Sequence, residues 1–189
     1  MSGHLSLDTR AASWFALRVK PNHEKNVARF LQYQGYEGFL PTYKIRRGGT
    51  QRSQEVELAL FAGYVFCKFD RASWARIINT PGVIDAVRSG RSLVSIDQEQ
   101  IEALQIVQNA RSRMEPWPFV AVGDAVRIAA GPLAGRQGTI VTLKGSTRLV
   151  LSVTLLQRSV LAEVDRAWLV DETSSLSRPV TSNYQSLTR

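Results

Sequence analysis

Few residues in this chain could carry covalent or proton-transfer chemistry. There are two histidines and one cysteine in 189 residues. His4 falls in a small, polar N-terminal stretch and His23 at the start of a predicted helix, so neither has a partner for acid–base work. Cys67 sits inside an apolar run, where a thiol is a small core residue rather than a nucleophile. Asp97, Glu99 and Glu102 cluster, but acids at a helix start are expected from the helix dipole alone. The chain carries no Cys-x-x-Cys pair, phosphate-loop signature or Ser-His-Asp series. The expectation is a protein that is not an enzyme and needs no metal or cofactor.

Charge and aromatic surface carry the chemistry instead. There are 24 Lys+Arg against 16 Asp+Glu, a net charge of +8. Such a balance favours a polyanion, most simply nucleic acid or a nucleoprotein machine, although it also serves solubility. Arg46, Arg47 and Arg52 gather around Gly48 and Gly49 at the expected tip of a β-hairpin, either as ordinary solvated arginines or as a basic tip. Residues 60–70 read LFAGYVFCKFD, the longest aromatic-rich β run. Period two puts Tyr64, Phe66 and Lys68 on one side and Val65, Cys67 and Phe69 on the other. Helices of a small domain can cover one face. The face with Phe61, Tyr64 and Phe66 also needs a cover, either the rest of a core or another protein. A single cysteine excludes an intrachain disulfide framework and suits the cytoplasm. No stretch approaches the roughly 18 apolar residues of a membrane span, and residues 1–13 do not resemble a signal peptide.

The elements that position these residues follow from periodicity. Residues 1–12 form an expected loose tail. Residues 14–20 alternate as a half-buried strand, and a helix follows with Val27, Phe30 and Leu31 as its stripe and Gly35 as its C-cap. Residues 36–43 read as a strand, 41–46 and 54–60 as the hairpin arms, and 71–79 as a helix stopped at Thr80-Pro81-Gly82. Short strands at 83–87 and 93–96 precede a helix capped by Asp97, with Ile101, Leu104 and Val107 inward. The order predicts one α+β unit over 13–112. Residues 113–121 hold two prolines around Trp117 and read as an extended linker that lets its flanking domains reorient. Beyond it, β runs at 125–128, 139–143, 149–155, 159–164 and 167–170 suggest a five-stranded barrel over 122–171. Residues 172–189 are polar and are expected to be disordered.

The sequence VGDAVRIAAGPLAGRQGTIV resembles the KOW motif, with Gly131, Pro132, Gly135 and Gly138 at positions that need tight turns or close packing. Trp14-Phe15-Ala16, His23-Glu24-Lys25, Phe39-Leu40-Pro41, Leu60-Phe61-Ala62-Gly63-Tyr64-Val65 and Asn79-Thr80-Pro81-Gly82-Val83 occur in the order of the NusG N-terminal domain. Residues 13–170 together resemble a NusG-like transcription elongation factor with an SH3-like KOW barrel. RLVLSVTLLQRSVLAEVD is closer to specialised antiterminators of the UpxY type. The family's usual Phe-Pro-Gly-Tyr is Phe-Ala-Gly-Tyr here, a softer bend that keeps the aromatic face.

The resemblance implies partners and sites. Phe61, Tyr64 and Phe66 match the face that docks on the clamp helices of the largest RNA polymerase subunit, which would suppress pausing and give operon-specific antitermination. Ser73, Arg76, Asn79 and Thr80 match residues that read non-template DNA, with Arg46, Arg47 and Arg52 near upstream DNA or another polymerase element. Leu155, Leu156 and Gln157 stand where housekeeping NusG carries an Ile-Phe-Gly loop for the helicase Rho or a small-subunit ribosomal protein. Losing the aromatic ring argues against Rho and leaves ribosome contact open. A monomer is expected. The other readings are a KOW-containing ribosomal or ribosome-assembly protein that binds RNA, and a housekeeping NusG acting in Rho-dependent termination. The first explains the charge but not the N-terminal series of motifs.

Overall fold

The computed structural model describes residues 12–48, 54–110, 112–117, 125–128, 132–143, 146–156 and 158–163. The hairpin's Arg52, Gln157 of the expected partner loop and the run at 167–170 lie outside the described residues.

The first sheet is built on β1 (Ser13–Val19) and β5 (Tyr64–Phe69), which pair antiparallel from Ser13 opposite Phe69 to Arg18 opposite Tyr64. β2 (Glu37–Phe39) adds to β5, and β6 (Val83–Ala86) to β1, giving the order β2-β5-β1-β6. Helix α1 (Glu24–Tyr33) lies between β1 and β2 in the chain. The hairpin is β3 (Thr42–Arg47) with β4 (Gln54–Ala59), a separate two-stranded sheet. Pro41 supplies no amide hydrogen, and the chain breaks there, so 36–43 forms two strands rather than one. A 3-10 turn (Arg71–Ser73) leads into the short helix α2 (Trp74–Ile78). β7 (Arg88–Ser89) and β8 (Ser92–Leu93) form a tight hairpin, β9 (Ser95–Ile96) returns to β1, and α3 (Gln98–Asn109) begins at Asp97. The Asp97 carboxylate accepts the Glu99 amide at 2.9 Å, the cap expected from the sequence.

The two faces of the first sheet carry different clusters. Phe15, Leu17, Val19, Val65, Cys67 and Phe69 point to one side, where Val27, Ala28 and Leu31 of α1 and Ile77 of α2 cover them. Phe30 is 43% exposed, not part of the stripe. It lies about a third of a turn from the line through Val27, Ala28 and Leu31, so it flanks the buried face. Trp14, Ala16, Phe39, Phe61 and Phe66 point to the other side. β1 is therefore buried on both faces except at Arg18, where alternation alone suggests a half-buried strand.

The second sheet explains the extra burial. It has the order β10-β14-β13-β12-β11, from β10 (Met114–Trp117), β11 (Ala125–Arg127), β12 (Gln137–Leu143), β13 (Ser146–Val153) and β14 (Arg158–Glu163). Residues read as a linker are extended, and four of them also pair with β14, from Met114 opposite Ala162 to Trp117 opposite Ser159. Pro116 is tolerated because β10 is an edge strand. β10 and β11 are opposite edges, and no closed barrel is seen among the described residues. The fold is thus mixed α+β, with sheets flanked by helices. Ile101, Leu104 and Val107 of α3 and Leu151, Val153, Val160 and Ala162 of the second sheet join the cluster containing Phe61 and Phe66. In this structure the two sheets share one core, held by apolar burial.

Candidate docking and nucleic-acid surfaces

The aromatic face is built by the turn ahead of β5. Gly63 takes φ +82, a conformation open to glycine, and its N–H donates to the Glu24 carboxylate at 2.9 Å. The turn closes with Tyr64 N–H donating to Phe61 C=O at 3.0 Å. Phe61 and Phe66 then meet edge to face at 5.5 Å, and Phe66 stacks near Phe39 at 6.2 Å. All three site residues fall on the expected face. Their exposure differs from expectation: Phe61 and Phe66 are buried, and Tyr64 is half-buried. The cover is the same chain. The Arg158 guanidinium of β14 lies 5.6 Å over the Tyr64 ring, a cation–π contact between the sheets. Leu155 and Leu156, in a 3-10 turn (Thr154–Leu156), pack on the same cluster. The aromatic face and Leu155 and Leu156 of the expected partner loop lie in the same cluster.

An ion pair reinforces this contact. Arg136, ahead of β12, bonds and pairs with Glu102 on α3. The Gln98 amide, then the Arg136 guanidinium, hold the Glu102 carboxyl below the usual range against the opposing effect of burial. Glu102 reads as a helix-start acid in sequence. Its partner 34 residues away has no local signal.

The residues matched to DNA reading separate. Arg76 and Asn79 are exposed and three apart, so they share one side of α2 with exposed Ala72 and Ala75. Ser73 is half-buried, and its N–H is capped by Asp70 at 2.8 Å. Thr80 is buried at 1% exposure and its hydroxyl bonds Gln34 at 3.2 Å, which removes it from base contact. A buried hydroxyl needs such a partner, and the tight turn after α2 aims it inward. Arg46 and Arg47 are exposed on β3, in a different sheet. Neighbouring hairpin charges neutralise one another: Lys44 pairs with Glu55, and Lys25 with Glu57. The Thr42 hydroxyl, then Lys25, lower the Glu57 carboxyl. Cys67 is buried, and desolvation with the nearby charge of Glu37 pushes its thiol up to about 12, leaving it protonated.

The sequence assigns no site to Arg71, Arg88 or Arg91 near α2. Arg71 lies 5.7 Å over the Phe15 ring and Arg88 lies 5.0 Å over Trp74. Arg91 occupies the β7–β8 turn, and its carbonyl accepts from Arg88 at 3.3 Å. An arginine next to a helical tryptophan is visible in sequence only as composition.

The fold is an α+β sheet unit with an aromatic face, covered by an all-β unit of the same chain. The family described as "Transcription termination factor nusG" matches residues 12–105. The chain is 27% identical over 168 residues to the Transcription termination/antitermination protein NusG of Thermus thermophilus, covering 81% of this chain and 90% of that one. It is 24% identical over 164 residues to the Helicobacter pylori protein of the same name, covering 80% and 93%. A structure titled "Domain interaction in Thermotoga maritima NusG" aligns with TM-score 0.44 at 18% identity, over 82% of this chain and 98% of that one.

Proposed function

We propose that this protein is a transcription elongation factor that binds RNA polymerase through Phe61, Tyr64 and Phe66, suppresses pausing, and acts as an operon-specific antiterminator of the UpxY type. The observation that carries the reading is the shared aromatic face. Phe61, Tyr64 and Phe66 lie on one side of β5, while helices of the same unit seal the other side. Aromatic anchors of this kind suit an apolar groove such as that between the polymerase clamp helices. In this reading residues 13–112 form the polymerase-binding unit and 122–171 a KOW unit. The second sheet must lift from the first before polymerase docks, so the compact form is a resting state. Arg76 and Asn79 then face non-template DNA. Leu155, Leu156 and Gln157 are freed in the same step, and a small-subunit ribosomal protein suits their aliphatic loop better than Rho does. The mechanism is differential binding that favours the elongating state of polymerase.

The test is single-round transcription with purified RNA polymerase on a template with a defined pause. The expected result is a shorter pause lifetime, lost in Tyr64→Ala. Unchanged pausing, together with recovery of the chain in ribosomal particles rather than with polymerase, would return it to the ribosomal reading.

A further inference from the structure

Two strand edges flank one cleft. In an antiparallel pair, main-chain groups point alternately at the partner strand and away from it. Leu60 N–H donates to Pro41 C=O at 2.8 Å, so Pro41, Tyr43 and Ile45 turn their main chain to β4. Thr42, Lys44 and Arg46 then face the other way. The same phase follows from Thr42 N–H, which donates to the Gln108 side chain of α3 at 3.1 Å. Beyond Gln108 the edge is open: β3 has no second strand neighbour among the described residues. The other side of the cleft repeats the pattern. Glu163 N–H donates to Arg113 C=O at 3.0 Å, so Met114 and Pro116 turn their main chain away from β14. A cleft of about 1060 Å³ lies between, with Lys44, Arg46, Arg113 and Met114 in its walls. Its acids are occupied: Glu55 pairs with Lys44, and Glu57 with Lys25. Arg46 and Arg113 are exposed and have no ion pair among the described residues.

We propose that the free edge of β3 takes up an acidic peptide as a third, extended strand, with its carboxylates on Arg46 and Arg113. The main-chain groups of Lys44 and Arg46 supply a ladder, and the two arginines select the charge. The same charges exclude a second copy of this chain as the occupant. Pairing β3 with another β3 would set Lys44 and Arg46 among like charges, the usual guard against edge-to-edge association. An acidic strand passes that guard. A polynucleotide can meet the arginines but brings no main-chain ladder to the edge. The inference uses neither the aromatic face nor α2.

The experiment titrates the full chain with a fluorescent peptide of about six residues, alternating glutamate and valine. Anisotropy reads the affinity, and amide hydrogen exchange followed by NMR reads the edge. Binding should slow exchange at the Lys44 and Arg46 amides about tenfold, and leave Tyr43 and Ile45, already bonded to β4, unchanged. Two further peptides carry N-methyl groups along one edge or the other. One should bind like the parent and the other about tenfold more weakly, since only one edge meets β3 while the charge is constant. Arg46→Ala should weaken the parent peptide about fivefold. Equal affinity for all three peptides, or no binding of the parent, overturns strand addition with the wild-type protein alone. A thymidine oligonucleotide of equal charge that displaces the peptide, with no slowing at Lys44 and Arg46 in either complex, would assign the arginines to nucleic acid and overturn it too.

Discussion

The side chains of β5 show how one residue step separates two buried clusters. Val65 and Phe66 are adjacent and both fully buried, yet in different clusters. Val65→Ala removes packing under α1 and should cost about 2 kcal/mol of stability. Phe66→Ala should cost about 3–5 kcal/mol in the compact form, because its ring is enclosed as well. Phe66 is thus a poor probe of polymerase binding. Tyr64, half-buried beneath Arg158, is the useful one. Tyr64→Ala should leave the melting temperature within a few degrees of wild type and weaken polymerase binding by roughly 2 kcal/mol or more. Calorimetry beside a polymerase binding titration checks the pair. A Tyr64→Ala protein that melts as early as Phe66→Ala would place the tyrosine in the core. The side each residue takes was legible from alternation. What would lie over it was not, since alternation says nothing about a chain segment ninety residues away.

Among elements, the turn after α2 is the most constrained. Gly82 has φ +97, and a Cβ there would lie 2.8 Å from Cγ2 of Val27 on α1. Val83 N–H donates to Thr80 C=O at 3.0 Å, and Lys20 N–H to Gly82 C=O at 2.9 Å, which ties the turn to β1. Gly82→Ala should destabilise the fold by about 2–4 kcal/mol, from left-handed strain plus overpacking against α1. Urea denaturation checks this, and an unchanged midpoint would show that α1 can shift to make room. Gly90→Ala is the comparison: its φ is +58 but no atom lies within 4 Å, so only the strain should remain. The strands, α1, α3 and the Thr-Pro-Gly turn were legible because periodicity, caps and proline act locally. The pairing of β10 with β14 was not, because an edge strand containing proline and a linker share the same composition.

At the scale of the molecule, the aromatic face of the first sheet and one face of the second sheet close on each other. Glu102 with Arg136, and Tyr64 with Arg158, are polar contacts at the edge of an apolar interface. Arg136→Glu should open the compact form, raising the open fraction about fivefold, the effect of roughly 1 kcal/mol for a half-exposed pair. Adding Glu102→Arg should restore closure. NMR relaxation dispersion checks this through the open population, larger in the variant than in the wild type. The pH dependence has a defined sign. The Glu102 carboxyl is lowered in the folded protein, so its contribution is present above the ordinary glutamate value of about 4.3 and is lost as pH falls below it. A variant with an unchanged open population would assign closure to the apolar contacts alone.

Local rules acting on the sequence determined the helices and most of the strands, the side of β5 on which each residue lies, the cap at Asp97 and the excess positive charge. These depend on backbone geometry and near neighbours, which a linear chain displays. Only the tertiary structure decided that Phe61 and Phe66 are covered by the chain itself, that Thr80 turns inward to Gln34, and that Arg88 lies flat on Trp74. Each of these is a contact between segments far apart in sequence or set by a turn's exact pitch. Such contacts are selected by shape and apolar area once the elements have formed, and no periodicity in the chain records them.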